Sequence, residues 1–189
     1  MLSQHTLDTN TARAFKSLKA SFDTWDAMRT APVSDVEDAI RPGGLAAVKA
    51  PRIHNILHEI HSSQTTLDLE QLRSMSLEDA RGWLLGLHGV GPKTAACVLL
   101  FSLGKPALPV DTHVHRASRR LGIIGPKVSA NAAHGALEVA LGDDRDRVYA
   151  FHMNAITHGR TICKARTPLC DQCFLRDRCP YVDQCVHNA

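Results

Sequence analysis

The sequence of 189 residues contains no apolar run long enough to cross a bilayer. Its longest, around Ala95 to Leu103, falls well short of the roughly 20 residues that a membrane helix needs. Nothing resembles a signal peptide either, and the expected location is therefore the cytoplasm. No alternation of apolar and polar residues extends beyond a few positions, which argues against strands and leaves an all-α fold. Low-complexity segments and internal repeats are missing, as expected of one or two small packed domains. Strong charge of one sign is missing too, since the formal net charge is only +3, a balance that permits a polyanionic partner without demanding one.

What is present concentrates in Gly86 to Arg116, GLHGVGPKTAACVLLFSLGKPALPVDTHVHR. Leu87 to Lys93 reads as a tight glycine turn, and Thr94 to Leu103 as a buried helix. Gly89 and Gly91 let the backbone turn sharply and approach a ligand, and Pro92 suits a first helical position. The free amides of such a turn, with the positive helix end, form a site that a phosphate fits; a plain helix-turn-helix connection has the same composition.

Lys93 falls in the first helical turn, where the macrodipole and the loss of solvation in a closed interface both disfavour the ammonium form, so its amine is a candidate nucleophile. A helix from Lys93 to Leu103 is about 15 Å long. Gly104 to Val110 can reach roughly 24 Å when extended, enough to double back and set Asp111 beside Lys93. An amine and a carboxylate together at a phosphate-binding turn suit attack on a sugar carbon. The alternative is a surface lysine and a capping aspartate, since Thr112 to Leu121 also reads as a helix.

A second concentration lies in HGRTICKARTPLCDQCFLRDRCPY, where Cys163, Cys170, Cys173 and Cys179 stand at C-x6-C-x2-C-x5-C. Four thiols this close in a cytoplasmic protein hold metal more often than they form disulfides. Zinc modules use two separated CxxC knuckles and this chain has one, so the spacing favours an iron–sulfur cluster. Cys97 and Cys185 lie outside the pattern and read as structural.

The remaining chain reads as short helices: Thr9 to Ala20, Asp23 to Met28, Ser34 to Ile40 with Ser34 and Glu37 as a capping box, Leu45 to His61 interrupted at Pro51, Leu67 to Met75, Leu77 to Leu85 capped by Ser76 with Asp79, Ser129 to Leu141 and Asp144 to His158. His54, His58 and His61 share a helix face without an HExxH pattern and read as solvated. Asp143, Asp144 and Asp146 mark a helix start. Arg116, Arg119 and Arg120 fall on neighbouring turns, facing either a phosphate backbone or water.

LHGVGPKTA followed by PVDTHVHR resembles the helix-hairpin-helix and Gly/Pro-Asp signature of the DNA glycosylase superfamily, and the cysteines match one by one the [4Fe-4S] loop of its endonuclease III branch, as does His158-Gly159-Arg160 before them. Lysine at position 93 is similar to the bifunctional members of that branch. The resemblance implies two helical lobes, 1–105 with the hairpin at 86–103 and 106–189 with the cluster loop at 163–179. It implies a base-excision glycosylase with an AP lyase step for oxidised pyrimidines, in which Lys93 forms a Schiff base and Asp111 assists. The partner would be double-stranded DNA carrying damaged pyrimidines or abasic sites, bound by a monomer in the nucleoid. It also gives roles to Gln4 and Leu45, which would enter the duplex, and to Lys164 and Arg166, which would meet phosphates from between the first two cysteines. His88 stands where the family usually has proline, and Pro92 where a basic residue is common. Two helical segments of the family precede the Gln4 turn, so Met1 is expected to match a position inside a buried helix. A non-catalytic iron–sulfur DNA-binding protein is the alternative function, and an electron carrier a third.

Overall fold

The computed structural model describes residues 1–3 and 6–182, and among these there are ten α-helices and no strand. The helices are α1 Asp8–Ser21, α2 Trp25–Thr30, α3 Val33–Ile40, α4 Ala46–Gln64, α5 Gln71–Ser74, α6 Leu77–Gly86, α7 Pro92–Cys97, α8 Thr112–Arg120, α9 Ala130–Leu141 and α10 Arg145–Thr161. The expected all-α class is what the chain adopts, and no helix among the described residues is long and apolar enough to cross a membrane.

The chain forms two compact units, Met1–Met75 with Gly82–Val90, and Ser76–Arg81 with Gly91–Ala189. In the first unit Ala14 and Leu18 of α1, one turn apart, meet Met28, Val36, Ile40 and Ala50 in a dry core. Helix α3 is amphipathic because Val36, Ala39 and Ile40 fall at helical spacing on one face. Its capping box is not formed, since Pro32 is the N-cap and the Ser34 hydroxyl turns to the Asp35 carboxylate instead. Helix α4 runs through Pro51 without a break. The carbonyl that loses its partner there is that of Ala47, an exposed residue, while Ala50 and Ile60 bury the other face. The same unit carries an open apolar groove lined by Phe15, Trp25, Leu57, Ile60, Leu67 and Leu69.

The second unit packs Leu100, Leu108, Val110, Val114, Ile124, Ala133, Leu137 and Val148 into one core. Each such side chain, fully buried, contributes about 1.5–3 kcal/mol. Ser129 and Asp144 cap α9 and α10, the aspartate accepting from the Asp146 and Arg147 amides at 2.9 and 3.1 Å. Helices α8 and α10 cross at Gly159, where a Cβ would stand 2.9 Å from His113 Cβ, so only glycine permits that approach.

Candidate active site and iron–sulfur loop

Helix α7 begins as its sequence dictates, with Gly91 as N-cap and Pro92 at the first position. The backbone then loosens into a π-helical turn over Val98–Ser102, which closes the segment expected to be one helix to residue 103. In the turn before it, Gly89 holds φ +84°, a left-handed value that requires glycine, whereas Gly91 has φ −94° and an ordinary extended backbone. Not every amide of this turn points to solvent: His88 donates to Glu59 Oε2 at 2.9 Å and Val90 to the Leu87 carbonyl at 3.1 Å. No described hydrogen bond uses the Gly89 or Gly91 amide.

Lys93 is exposed in the second position of α7. One turn later Cys97 is half-buried, and its thiol is hydrogen-bonded by Lys93. Burial pushes that thiol's pKa up; the Lys93 charge and hydrogen bond oppose the shift, and the Asp111 carboxylate adds to it. The ring of His152 on α10, 3% exposed, is held below its usual pKa chiefly by burial, and it too feels Asp111 and Lys93 with opposite signs. Lys93 and Asp111 thus belong to one neighbourhood within one compact unit.

Asp111 is also the N-cap of α8, as the blander reading of the sequence had it. The two roles are compatible because both capping amides, His113 and Val114, donate to Oδ1 at 2.8 Å, and Oδ2 receives neither. The irregular segment that delivers Asp111 is pinned by two buried histidines. His134 Nδ1 donates to the Leu108 carbonyl at 2.8 Å and His152 Nδ1 to the Pro109 carbonyl at 2.9 Å. A carbonyl only accepts, so both rings carry their proton on Nδ1. Glu138 accepts from the Leu108 amide at 2.8 Å and pairs with Arg81 at 2.9 Å. These partners lie 26 to 57 residues apart in the chain, and no local sequence pattern announces them.

In the other site, Cys163, Cys170, Cys173 and Cys179 line a single cavity walled by Leu121, Ile162, Pro168 and Val182. Among the described residues no group of three or more His, Cys, Asp or Glu side chains is disposed to hold a single metal ion. Four cysteines lining one apolar cavity fit the body of an iron–sulfur cluster. Arg116 and Arg120 both turn onto this loop. Arg116 donates to the Cys163 and Gly159 carbonyls at 3.0 and 2.7 Å, and Arg120 to the Lys164 and Ala165 carbonyls at 2.7 and 3.0 Å while its guanidinium lies over the Tyr181 ring. That leaves the side chains of Lys164 and Arg166 exposed on an anchored main chain.

In the first unit Leu45 is 55% exposed and adopts φ 55°, ψ 33° as the N-cap of α4. A left-handed backbone costs a non-glycine residue about 1–2 kcal/mol, so an exposed leucine held there is a strained feature. Gln4 and Cys185 lie outside the described residues. His54 is not on a solvated face, since its Nε2 meets the Ala31 carbonyl at 3.1 Å.

Comparison with known proteins decides the lineage. The profile of HhH-GPD superfamily base excision DNA repair proteins matches residues 1–141, and that of the iron-sulfur binding domain of endonuclease III matches residues 163–179. Endonuclease III of Thermotoga maritima is 36% identical over 184 residues, 96% of this chain and 79% of the relative. The chain belongs to the endonuclease III family. As a member it carries an iron–sulfur cluster, and the matched segment 163–179 begins at Cys163 and ends at Cys179. A solved trapped endonuclease III–DNA covalent intermediate superimposes with a TM-score of 0.82 at 30% identity, covering 97% of this chain and 81% of that one. A relative from Arabidopsis thaliana named as a DNA glycosylase is 41% identical over 165 residues, 86% of this chain, which spans 55% of that relative's length.

Proposed function

We propose that this endonuclease III family member is a bifunctional DNA glycosylase and AP lyase that removes oxidised pyrimidines from duplex DNA. The observation that supports the reading is that Lys93 and Asp111 both lie near enough to the Cys97 thiol and the His152 ring to act on them electrostatically. Support comes from the solved endonuclease III that is trapped covalently on DNA.

Flipping the nucleotide out costs a few kcal/mol, less where damage weakens pairing. Lys93 is solvent-exposed in the free protein, so desolvation of its amine comes with DNA closing over it. The free Oδ2 of Asp111 stabilises positive charge at C1′ and takes a proton from the lysine as its nitrogen bonds to that carbon. The glycosidic bond breaks with its electron pair going to the base, which leaves after protonation. Opening of the sugar ring gives an imine between Lys93 and C1′. That imine acidifies the C2′ proton; its removal expels the 3′ phosphate, and hydrolysis of the imine frees Lys93. Gly91 has no neighbour within 4 Å of where a Cβ would stand and no backbone need for glycine, so its lack of a side chain serves close approach of a phosphate. The iron–sulfur cluster, when bound, orders the loop that presents Lys164 and Arg166 to the backbone.

The test is a panel of duplexes each carrying one oxidised pyrimidine, one alkylated purine or one mismatch. The expected result is strand scission at oxidised pyrimidines leaving a 3′ unsaturated aldehyde. Binding without scission on every duplex would instead mark a non-catalytic DNA-binding protein.

A further inference from the structure

Two exposed rings border the neighbourhood of Lys93 and Asp111. Phe101, 46% exposed, lies eight residues after Lys93 in the π-helical turn that continues α7. Tyr149, 37% exposed, and the exposed Met153 stand one turn apart on α10. The Phe101 ring meets the Tyr149 ring edge to face at 5.8 Å and 79°, and the His152 ring at 5.5 Å and 63°. His152 is the ring whose Nδ1 donates to the Pro109 carbonyl, two residues before Asp111, so the aromatic run starts at the segment that delivers the carboxylate. At its far end the Arg145 guanidinium lies over the Tyr149 ring, 5.0 Å from the centroid, and pairs with the Asp146 carboxylate at 2.6 Å. All these residues belong to the second unit.

Single apolar side chains on a surface are ordinary, but adjoining large ones beside a reactive pair mark a contact surface. The turn that carries Phe101 is already anchored without it, because Leu99 and Leu100 from the same turn are fully buried. A π turn is rare, and it recurs where function places it. Neither ring contact of Phe101 is a flat stack, so the parallel arrangement that a planar base adopts on an aromatic ring is not taken up within the protein.

We propose that Phe101 and Tyr149 form a ledge on which the base of the nucleotide turned out of the duplex stacks, with Met153 beside it, so that these rings hold the base next to Lys93 and Asp111. This rests on the DNA glycosylase reading above. An extruded base gives up its stacking in the duplex, and aromatic and apolar side chains replace that stacking in enzymes that act on flipped bases.

The test uses the cluster-loaded full chain and two duplexes that differ in whether a base is present. One carries 5-hydroxyuracil, a planar oxidised pyrimidine, and the other an abasic site. Single-turnover base release is read on the first and borohydride trapping on the second, with thermal melts alongside. Phe101→Leu and Tyr149→Leu should each lower the ratio of base release to abasic trapping about tenfold, the scale of losing one base–aromatic stack. Phe101→Tyr and Tyr149→Phe, which keep a ring, should hold the parent ratio. A parent ratio in either leucine variant, or losses as large in the ring-keeping variants, would overturn the proposal. So would release and trapping that fall together, since the rings would then serve packing alone. If Phe101→Leu loses its cooperative melt, Tyr149→Leu decides by the same ratio. A parent that traps abasic DNA yet releases no base would leave the ledge without its occupant and overturn the proposal, whereas a parent that does neither would remove the glycosylase reading itself.

Discussion

Adding one methyl group at Gly159 should damage the protein, whereas adding one at Gly135 should improve it. Both glycines lie inside helices, α10 and α9, where alanine is intrinsically favoured by roughly 0.5–1 kcal/mol. At Gly135, which is exposed, a Cβ meets nothing within 4 Å, so Gly135→Ala should gain that amount. At Gly159 the Cβ would lie 2.9 Å from His113 Cβ, 3.3 Å from His113 Cα and 3.3 Å from an Arg116 nitrogen. Two of these are the stiff base of α8 rather than the end of a flexible chain, so α8 has to move. Overpacking of this kind costs about 1–3 kcal/mol, and one kcal/mol shifts the melt by about 2–4 °C in a chain of this size. A drop of about 2–12 °C is expected. The displaced residue is the one whose amide Asp111 accepts, and Arg116 also steadies the cluster loop, so turnover should fall more than DNA affinity. Differential scanning calorimetry gives the melt and single-turnover cleavage gives the rate. A Gly159→Ala protein with parent melt and parent rate would refute the close crossing and its link to Asp111.

Acidification should weaken the fold through the two histidines that pin residues 108 and 109. Burial lowers the pKa of His134 and His152 in the folded chain, so below about 6.5 the unfolded chain binds more protons and stability falls until the folded pKa values are passed, by up to about 1.4 kcal/mol per pH unit for each ring. Urea midpoints measured across that range should slope downward toward acid, and a His134→Gln/His152→Gln protein should show a shallower slope; equal slopes would discount both rings. Purified protein should be yellow-brown with about four irons per chain. Lys164→Ala/Arg166→Ala should keep that iron but flatten the salt dependence of DNA binding by roughly one unit of slope per lost phosphate contact, and an unchanged slope would remove the loop from the interface.

Helices and caps were legible in the sequence where the signal is local. The spacing of Ala14 and Leu18, the serine at 129 and the aspartate at 144 each act within a turn or two, and the structure follows them. Pro51 misleads because its cost falls on a carbonyl that water can reach while the opposite helix face is buried. The Ser34 box fails because Pro32 already starts α3 two residues earlier. Around the site, the shared cavity of the four cysteines and the common neighbourhood of Lys93 and Asp111 could be anticipated from residue type, spacing and resemblance. The supports could not: His152 reaches a carbonyl 43 residues away, and Arg116 and Arg120 find the cluster loop across a similar gap. A buried polar residue chosen for a main-chain partner in another part of the fold leaves no periodic trace in its own segment.

The covalent step is the claim on which the functional reading stands, and borohydride trapping on abasic duplex DNA tests it most directly. The parent should give a stable protein–DNA adduct that peptide mapping assigns to Lys93. Lys93→Gln should bind the same duplex with unchanged affinity and give no adduct. Asp111→Asn, in which Oδ1 still caps α8 while the charge is gone, should melt like the parent yet form the adduct from an oxidised-pyrimidine duplex orders of magnitude more slowly. A full-strength adduct in Lys93→Gln, or one mapped to another residue, would contradict the account.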